Sequence, residues 1–298
     1  MKKYNFLLLF LAVTFIAKAS TTLKSNKEYS KSFNESYSVS EGATLELDSE
    51  FSTVEISDWD ANKIEVNITV SVDSKSEESA QDFLRKADVE ISKSGNKVKV
   101  KTEFEGNHNW KHNSFEIHVH IKAPKSCQLN LDHSFGGMKI GSFNGRAEID
   151  SEYGSVDAGS LHAPSNIITI AFGSINIGIF GGGYLGVEYG SAEIDHLKQA
   201  CTFNNAFSEL KILEVDCENG KIALENSYGN STIGISSQHS FSFETQSSFG
   251  DIDLPNGVEY SKKEQDSFSS SKKGSKGSGG IYFEIDNSFG GVEIEYFD

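Results

Sequence analysis

Arginine is nearly missing from this chain. Arg85 and Arg146 are the only two in 298 residues, so no guanidinium cluster exists to clamp phosphates or carboxylates through paired hydrogen bonds. Cysteine is scarce and odd in number. Cys127, Cys201 and Cys217 allow at most one internal disulfide, so stability must come from burial, with cross-links playing little part. Cys201 shares the parity of Phe203 and Phe207 and reads as a small core side chain. After residue 20 no apolar run approaches the roughly 20 residues that a spanning helix needs. Catalytic signatures are missing too. There is no G-x-S-x-G and no H-E-x-x-H, and Gly181-Gly182-Gly183 is not followed by the Lys-Ser or Lys-Thr of a phosphate-cradling loop.

Positive charge is in short supply: 27 Lys and Arg stand against 43 Asp and Glu, a net charge of −16. Residues 1–19 read as a secretion signal, with Lys2 and Lys3 at the start, an apolar stretch over 6–17 and the small-x-small site Ala17-Lys18-Ala19. Their removal takes three lysines and leaves a net charge of −19. No Cys follows the apolar stretch to carry a lipid anchor. The expected location is therefore outside the cytoplasm: periplasm, cell surface or medium. An acidic surface of this kind repels nucleic acid and anionic lipid.

What the chain has in abundance is one short phrase: an aromatic, usually a Gly, then two apolar residues spaced two apart. It reads Phe135-Gly136-Gly137-Met138-Lys139-Ile140 and returns at Tyr153, Phe172, Tyr189, Phe207, Tyr228, Phe249 and Phe289, with Ser208 in place of Gly after Phe207. The aromatics lie 18, 19, 17, 18, 21, 21 and 40 residues apart. A period near 20 marks a solenoid, whose coils bury their apolar faces only by stacking. Apolar residues alternate before each aromatic, as Ala147 and Ile149 do before Tyr153, and the parity shifts by one after it. That pattern predicts two short strands around a tight corner, with Gly supplying a positive φ at the bend. Two residues before the aromatic the inward position is polar in several coils: Ser151, Asn205, Asn226, Ser247 and Asn287. Stacked amides there predict a buried hydrogen-bond ladder.

The fold expected is all-β: a parallel β-solenoid of roughly 18–21-residue coils over residues 127–298 with a small N-terminal α+β cap over 33–126. A flexible lead-in is expected over 20–32. In the cap, Ile64, Val66, Ile68, Val70 and Val72 alternate as a strand, as do Phe115, Ile117, Val119 and Ile121. Ser74 and Glu77 have capping-box spacing ahead of a short helix carrying Ala80, Phe83, Leu84 and Ala87. Phe51-Ser52-Thr53-Val54-Glu55-Ile56 is an outlying copy of the phrase. Residues 261–280, rich in Ser, Lys and Gly, are expected to be a disordered excursion between the last two coils.

With the signal peptide, the stretch 46–60 around that outlying copy, Ile121-Lys122-Ala123-Pro124 and the run of aromatic-Gly coils in hand, the chain resembles the putative-adhesin family of bacterial envelope β-strand-repeat proteins. The resemblance covers nearly all of the mature chain. It implies an extracytoplasmic β-solenoid and an adhesion-like or envelope-associated role, and it supplies no catalytic residue.

The residues themselves offer two sets of metal candidates. His108, His112, His118 and His120 fall close together, with His118 and His120 on one strand face, a spacing suited to a transition metal. Four residues after the corner aromatic, Asp157, Glu193, Asp253 and Glu293 form an outward acidic column, with Glu55 in the outlying copy, suited to Ca²⁺; Lys139, Asn176, Lys211 and Thr232 interrupt it. Neither set is complete, and no cofactor is expected. Three functions stay open: a non-catalytic adhesin-like binding or scaffold protein contacting a surface glycan or an envelope protein, an envelope-stress component acting through a protein partner, and a polysaccharide-active enzyme. The scarcity of cations argues against the last, since cleaving an acidic polysaccharide needs positive charge at the cleft.

Overall fold

The computed structural model describes residues 27–104 and 114–297. The signal segment, the first part of the lead-in, His108 and His112 lie outside them. The described chain folds into two long, mostly parallel sheets of twelve and thirteen strands, neither closed into a barrel. Each repeat contributes one strand to each sheet: Ala147–Glu152 leads into the corner at Tyr153, and Ser155–Leu161 leaves it. We call the two layers the pre-corner and post-corner sheets. Ala147–Glu152 pairs in parallel with Gln128–Ser134 on one side and Asn166–Ala171 on the other, and Ser155–Leu161 pairs with Gly137–Phe143 and Ser174–Phe180. In this β-solenoid-like stack the inward residues of the two layers meet in one core. Ile149, Val156, Ile168, Ile175, Ile177, Phe180 and Phe203 are all fully buried there, each contributing about 1.5–3 kcal/mol.

The corner differs from its expectation. The positive φ belongs to the aromatic and not to the Gly: Phe51, Phe135, Tyr153, Phe172, Tyr189, Phe207, Tyr228, Phe249 and Phe289 all have φ between +51° and +59°. This left-handed turn swings the ring out of the core, and the rings from Phe135 onward are about half exposed. Neighbouring rings stack face to face at centroid distances of 4.7–5.0 Å, from Phe51 through Phe135 to Tyr228, then Phe289 and finally Phe249. A left-handed non-glycine residue costs roughly 1–2 kcal/mol. Each stacked ring pair returns about 0.5–1.5 kcal/mol beyond its buried area, and since each pair is shared by two rings the ladder offsets part of the strain. The Gly has a different reason. Ser174 N–H donates to the Gly154 carbonyl at 3.0 Å, and a Cβ on Gly173 would lie 2.1 Å from that same oxygen. The corners stack too closely for a side chain.

Just inside the corner runs the polar ladder. Asn205 Nδ2 donates to Asn226 Oδ1 (2.7 Å), Asn226 Nδ2 to Asn287 Oδ1 (2.7 Å), and Asn287 Nδ2 to Ser247 Oγ (3.1 Å), all buried. At the other end of the stack the equivalent place holds Ser49 and His133, with Oγ and Nδ1 2.9 Å apart, next to Ser151. Apolar Ile170 and Val187 separate the two polar runs.

The N-terminal region joins the same stack. Thr44–Glu50 pairs in parallel with Gln128–Ser134, and Phe51 stacks on Phe135, so the copy at Phe51 is in line with the rest. Lys97–Phe104 and Ser114–Pro124 add one parallel strand to each sheet beyond it. Antiparallel strands then cover both edges: Lys63–Ser74 with Lys27–Ser38 on one sheet and Ala87–Ser94 on the other. From Lys27 onward the lead-in is thus a strand. The alternating Ile64, Val66, Ile68, Val70 and Val72 are all buried. The helix Glu77–Lys86 is capped by Ser76, whose Oγ accepts from Ser79 N–H at 3.3 Å, and not by Ser74, whose hydroxyl donates to the Ser76 carbonyl.

At the far end the order of coils departs from the order of sequence. Ile281–Ser288 pairs with Gly220–Ser227 on one side and Phe241–Ser248 on the other, so the last coil in sequence sits one place inside the stack. Residues 261–280, expected to be disordered, contribute instead to an antiparallel hairpin, Glu259–Gln265 with Ser269–Lys276, which extends the pre-corner sheet past Phe241–Ser248. Ser and Lys fit this edge because one face of the hairpin has nothing to bury against, and charge on an edge strand discourages further pairing.

Candidate functional site

The post-corner strands bend in mid-course. In Ser155–Leu161, Val156 and Ala158 point inward, then Gly159 and Ser160 both stay off the core before Leu161 returns to it. Gly141 and Ser142, Gly178 and Ile179, Asp195 and His196, and Leu213 and Glu214 repeat the double step in their own strands. Two successive outward residues bend a strand as a bulge does, and stacking the bends makes a shallow groove that crosses the strands. A Cβ on Gly178 would lie 2.6 Å from the Gly159 carbonyl, so the floor stays bare backbone there. One depression of about 400 Å³ is lined by Lys139, Asp157, Gly159, Asn176, Gly178 and Asp195. The next, about 630 Å³, shares Asp195 and adds His196, Lys211, Leu213, Glu214, Thr232 and Phe297.

Of the acidic column only Asp157 lines the groove, beside Lys139, Asn176, Lys211 and Thr232 that interrupt the column, and the column's register is explicit. Lys139 lies between Glu55 and Asp157, Asn176 between Asp157 and Glu193, and Lys211 between Glu193 and Thr232. Acids meet directly only where Glu293 pairs with Asp253. Asn176 Nδ2 donates to Asp157 Oδ1 at 3.0 Å. The column is therefore a mixed polar strip in which Lys or a neutral side chain separates most of the acids. His118 and His120 sit at the other end of the same sheet, with ring centroids 6.4 Å apart. Each faces its own carboxylate: His118 Nε2 is 3.0 Å from Glu116, and His120 Nδ1 is 3.3 Å from Glu55.

A third cluster escaped the sequence reading. Register pairs His196 with Glu214, and Asp216 follows just past the strand end. His196 Nδ1 lies 3.3 Å from Glu214 Oε2 and 3.1 Å from Asp216 Oδ2, and Lys198 Nζ bonds Asp216. Partial burial pushes the Asp216 carboxyl up, but hydrogen bonds from Lys198 and Glu214 outweigh this and its pKa falls; the Glu214 carboxyl, bonded to Asp216, is raised. The signal lay in the 18-residue offset from Tyr189 to Phe207, which also relates Glu193 to Lys211: carried from His196 it lands on Glu214. All three cysteines are free and buried, and burial pushes the Cys127 thiol up to about 11.

The solved structures similar to this chain include proteins described as putative adhesins. One from Bacteroides fragilis is 9% identical, with 89% of this chain and 97% of that one covered and a TM-score of 0.39. Another, from Parabacteroides distasonis, is 11% identical over 89% and 97%, at 0.32. A putative cell adhesion protein from Clostridium sporogenes is 12% identical over 90% and 100%, at 0.25. Scores this low leave fold and function to rest on the chain's own residues. No protein-family model and no curated protein matches the chain. Among the described residues no helix is long and apolar enough to cross a membrane.

Proposed function

We propose that this is a non-catalytic, exported cell-envelope protein with an adhesin-like role, and that the bent face of the post-corner sheet is its binding surface. The observation that carries the reading is the groove itself. It runs across successive strands, its floor is glycine at Gly159 and Gly178, and its wall offers Asp157, Asn176, Asp195 and Lys211 as donors and acceptors of both signs. With coils of about 18–21 residues each adding a rung of about 4.8 Å, such a surface repeats along its length and matches a ligand that also repeats. An extended, hydroxyl-rich surface glycan has that form, and mixed amide, carboxylate and ammonium groups suit its hydroxyls, whereas a strongly anionic polymer meets the net charge of −19 left after residue 19.

A glycan array probed with the chain from residue 20 tests the proposal, beside a variant carrying Asp157→Ala and Asn176→Ala. Both side chains are exposed, so the variant should melt as the parent does. The expected result is a neutral-glycan signal that the variant loses. No glycan signal, together with capture of an envelope protein by parent and variant alike, would sink both the ligand and the groove.

A further inference from the structure

We propose that His196, Glu214 and Asp216 form a divalent transition-metal site, with the Lys198 ammonium as an internal competitor for it. The three donor atoms lie within 4.8 Å of one another. A metal held tetrahedrally at 2.0–2.2 Å sets its ligands about 3.4 Å apart. The distances from His196 Nδ1 to Glu214 Oε2 and to Asp216 Oδ2, 3.3 and 3.1 Å, already have that spacing. Strand register sets the first of these, and Asp216, one residue past the strand end, is held beside it by its N–H donating to the Leu197 carbonyl at 2.9 Å.

The donor set selects the ion. One imidazole with two carboxylates suits Zn²⁺ or Mn²⁺, whereas Ca²⁺ and Mg²⁺ prefer oxygen alone. The charges also fit, since two carboxylates and a neutral imidazole balance a dication while Lys198 balances only one of the acids. Lys198 is 43% exposed, so its ammonium can move into water at little cost. His196 and Glu214 line the larger depression of the groove, which leaves the remaining coordination position open on that side, as in sites that bind a further ligand. The site does not depend on the glycan reading.

Calorimetric titration of the chelator-treated, tag-free chain with ZnCl₂, and in parallel with CaCl₂, tests it without any glycan present. One Zn²⁺ per chain is expected, with no comparable Ca²⁺ binding. His196→Ala and Asp216→Asn should each weaken Zn²⁺ by about tenfold or more. Lys198→Met should tighten it, because the competing cation is gone. A surface ion-pair network without a metal role predicts the reverse for Lys198→Met: no gain in Zn²⁺ affinity and some loss of thermal stability. A variant carrying His118→Ala and His120→Ala should bind as the parent does. Loss of the Zn²⁺ signal there, or an unchanged or weaker affinity in Lys198→Met, would overturn the proposal.

Discussion

Replacing Asn226 by Ala tests whether the amide ladder holds the coils together. Asn226 is buried and makes four side-chain hydrogen bonds. Its Oδ1 accepts from Asn205 Nδ2 at 2.7 Å and Ser231 Oγ at 3.0 Å, and its Nδ2 donates to Asn287 Oδ1 at 2.7 Å and Gly229 O at 2.8 Å. Truncation does not orphan every partner. Asn205 Nδ2 keeps Ser208 O and Asn230 O, and Gly229 O keeps Gly291 N–H. Asn287 Oδ1 loses its donor in a dry site, at about 1–3 kcal/mol. The remaining lost bonds and the void add roughly 1–2 kcal/mol. The total is about 2–5 kcal/mol, a large share of the roughly 5–15 kcal/mol that a folded domain has, and a fall in Tm of about 4–20 °C. Thermal and urea melts measure it, with Asn176→Ala as control: that exposed residue makes one side-chain bond and should change stability by about 0.5 kcal/mol or less. A loss at Asn226 no larger than the control would refute the ladder as a source of stability.

Other consequences are as direct. Gly173→Ala places a methyl 2.1 Å from the Gly154 carbonyl and should cost about 1–3 kcal/mol as overpacking does; a neutral melt would mean that the corners can separate freely. Burial holds the His133 imidazole below its ordinary 6.5, so folding favours the neutral ring. Its contribution is complete above pH 6.5 and is lost as pH falls from there towards the folded pKa. His133→Gln should flatten the Tm profile between pH 7 and 5, and an unchanged slope would clear His133 of the effect. The thiols of Cys127, Cys201 and Cys217 are buried and raised, so Ellman's reagent at pH 8 should find none in the native chain and three in guanidinium; rapid native labelling would contradict their burial.

The legible parts of this fold were those that repeat locally. Alternation such as Ile175, Asn176, Ile177 shows itself within three residues, and the structure buries the isoleucines and exposes the Asn. The amide ladder was legible too, because Asn205, Asn226 and Asn287 keep one offset from the aromatic. His133 holds that same offset, two residues before Phe135, and belongs to the same polar row. The aromatic was misread because parity alone puts Tyr153 with Ile149; only its φ of +56° turns the ring out. A single Cβ's approach to a carbonyl one coil away was likewise invisible as a reason for Gly154. The candidate site was less legible. The groove comes from double outward steps that vary in residue type, from Gly159 and Ser160 to Leu213 and Glu214. The His196 cluster needs the register between two coils, and its third member follows the strand end. Residues 261–280 looked unstructured because low apolar content was judged without the edge of Phe241–Ser248, on which backbone pairing alone suffices.

The inverted placing of the final coil bears on how such a chain is completed. Phe241–Ser248 precedes Ile281–Ser288 in sequence, yet it lies one position farther out in the stack. A chain folding from its N-terminus therefore reaches the second-last coil while the berth beside Gly220–Ser227 is still open. The earlier coil, with the same parity and its own corner aromatic, is a serviceable occupant of that berth. Register here is set by a pattern both coils share, so the native order is reached only when the tail arrives and the earlier coil stands one rung away. The strand Ile281–Ser288 thus acts as an interposed wedge between two coils that both precede it in sequence.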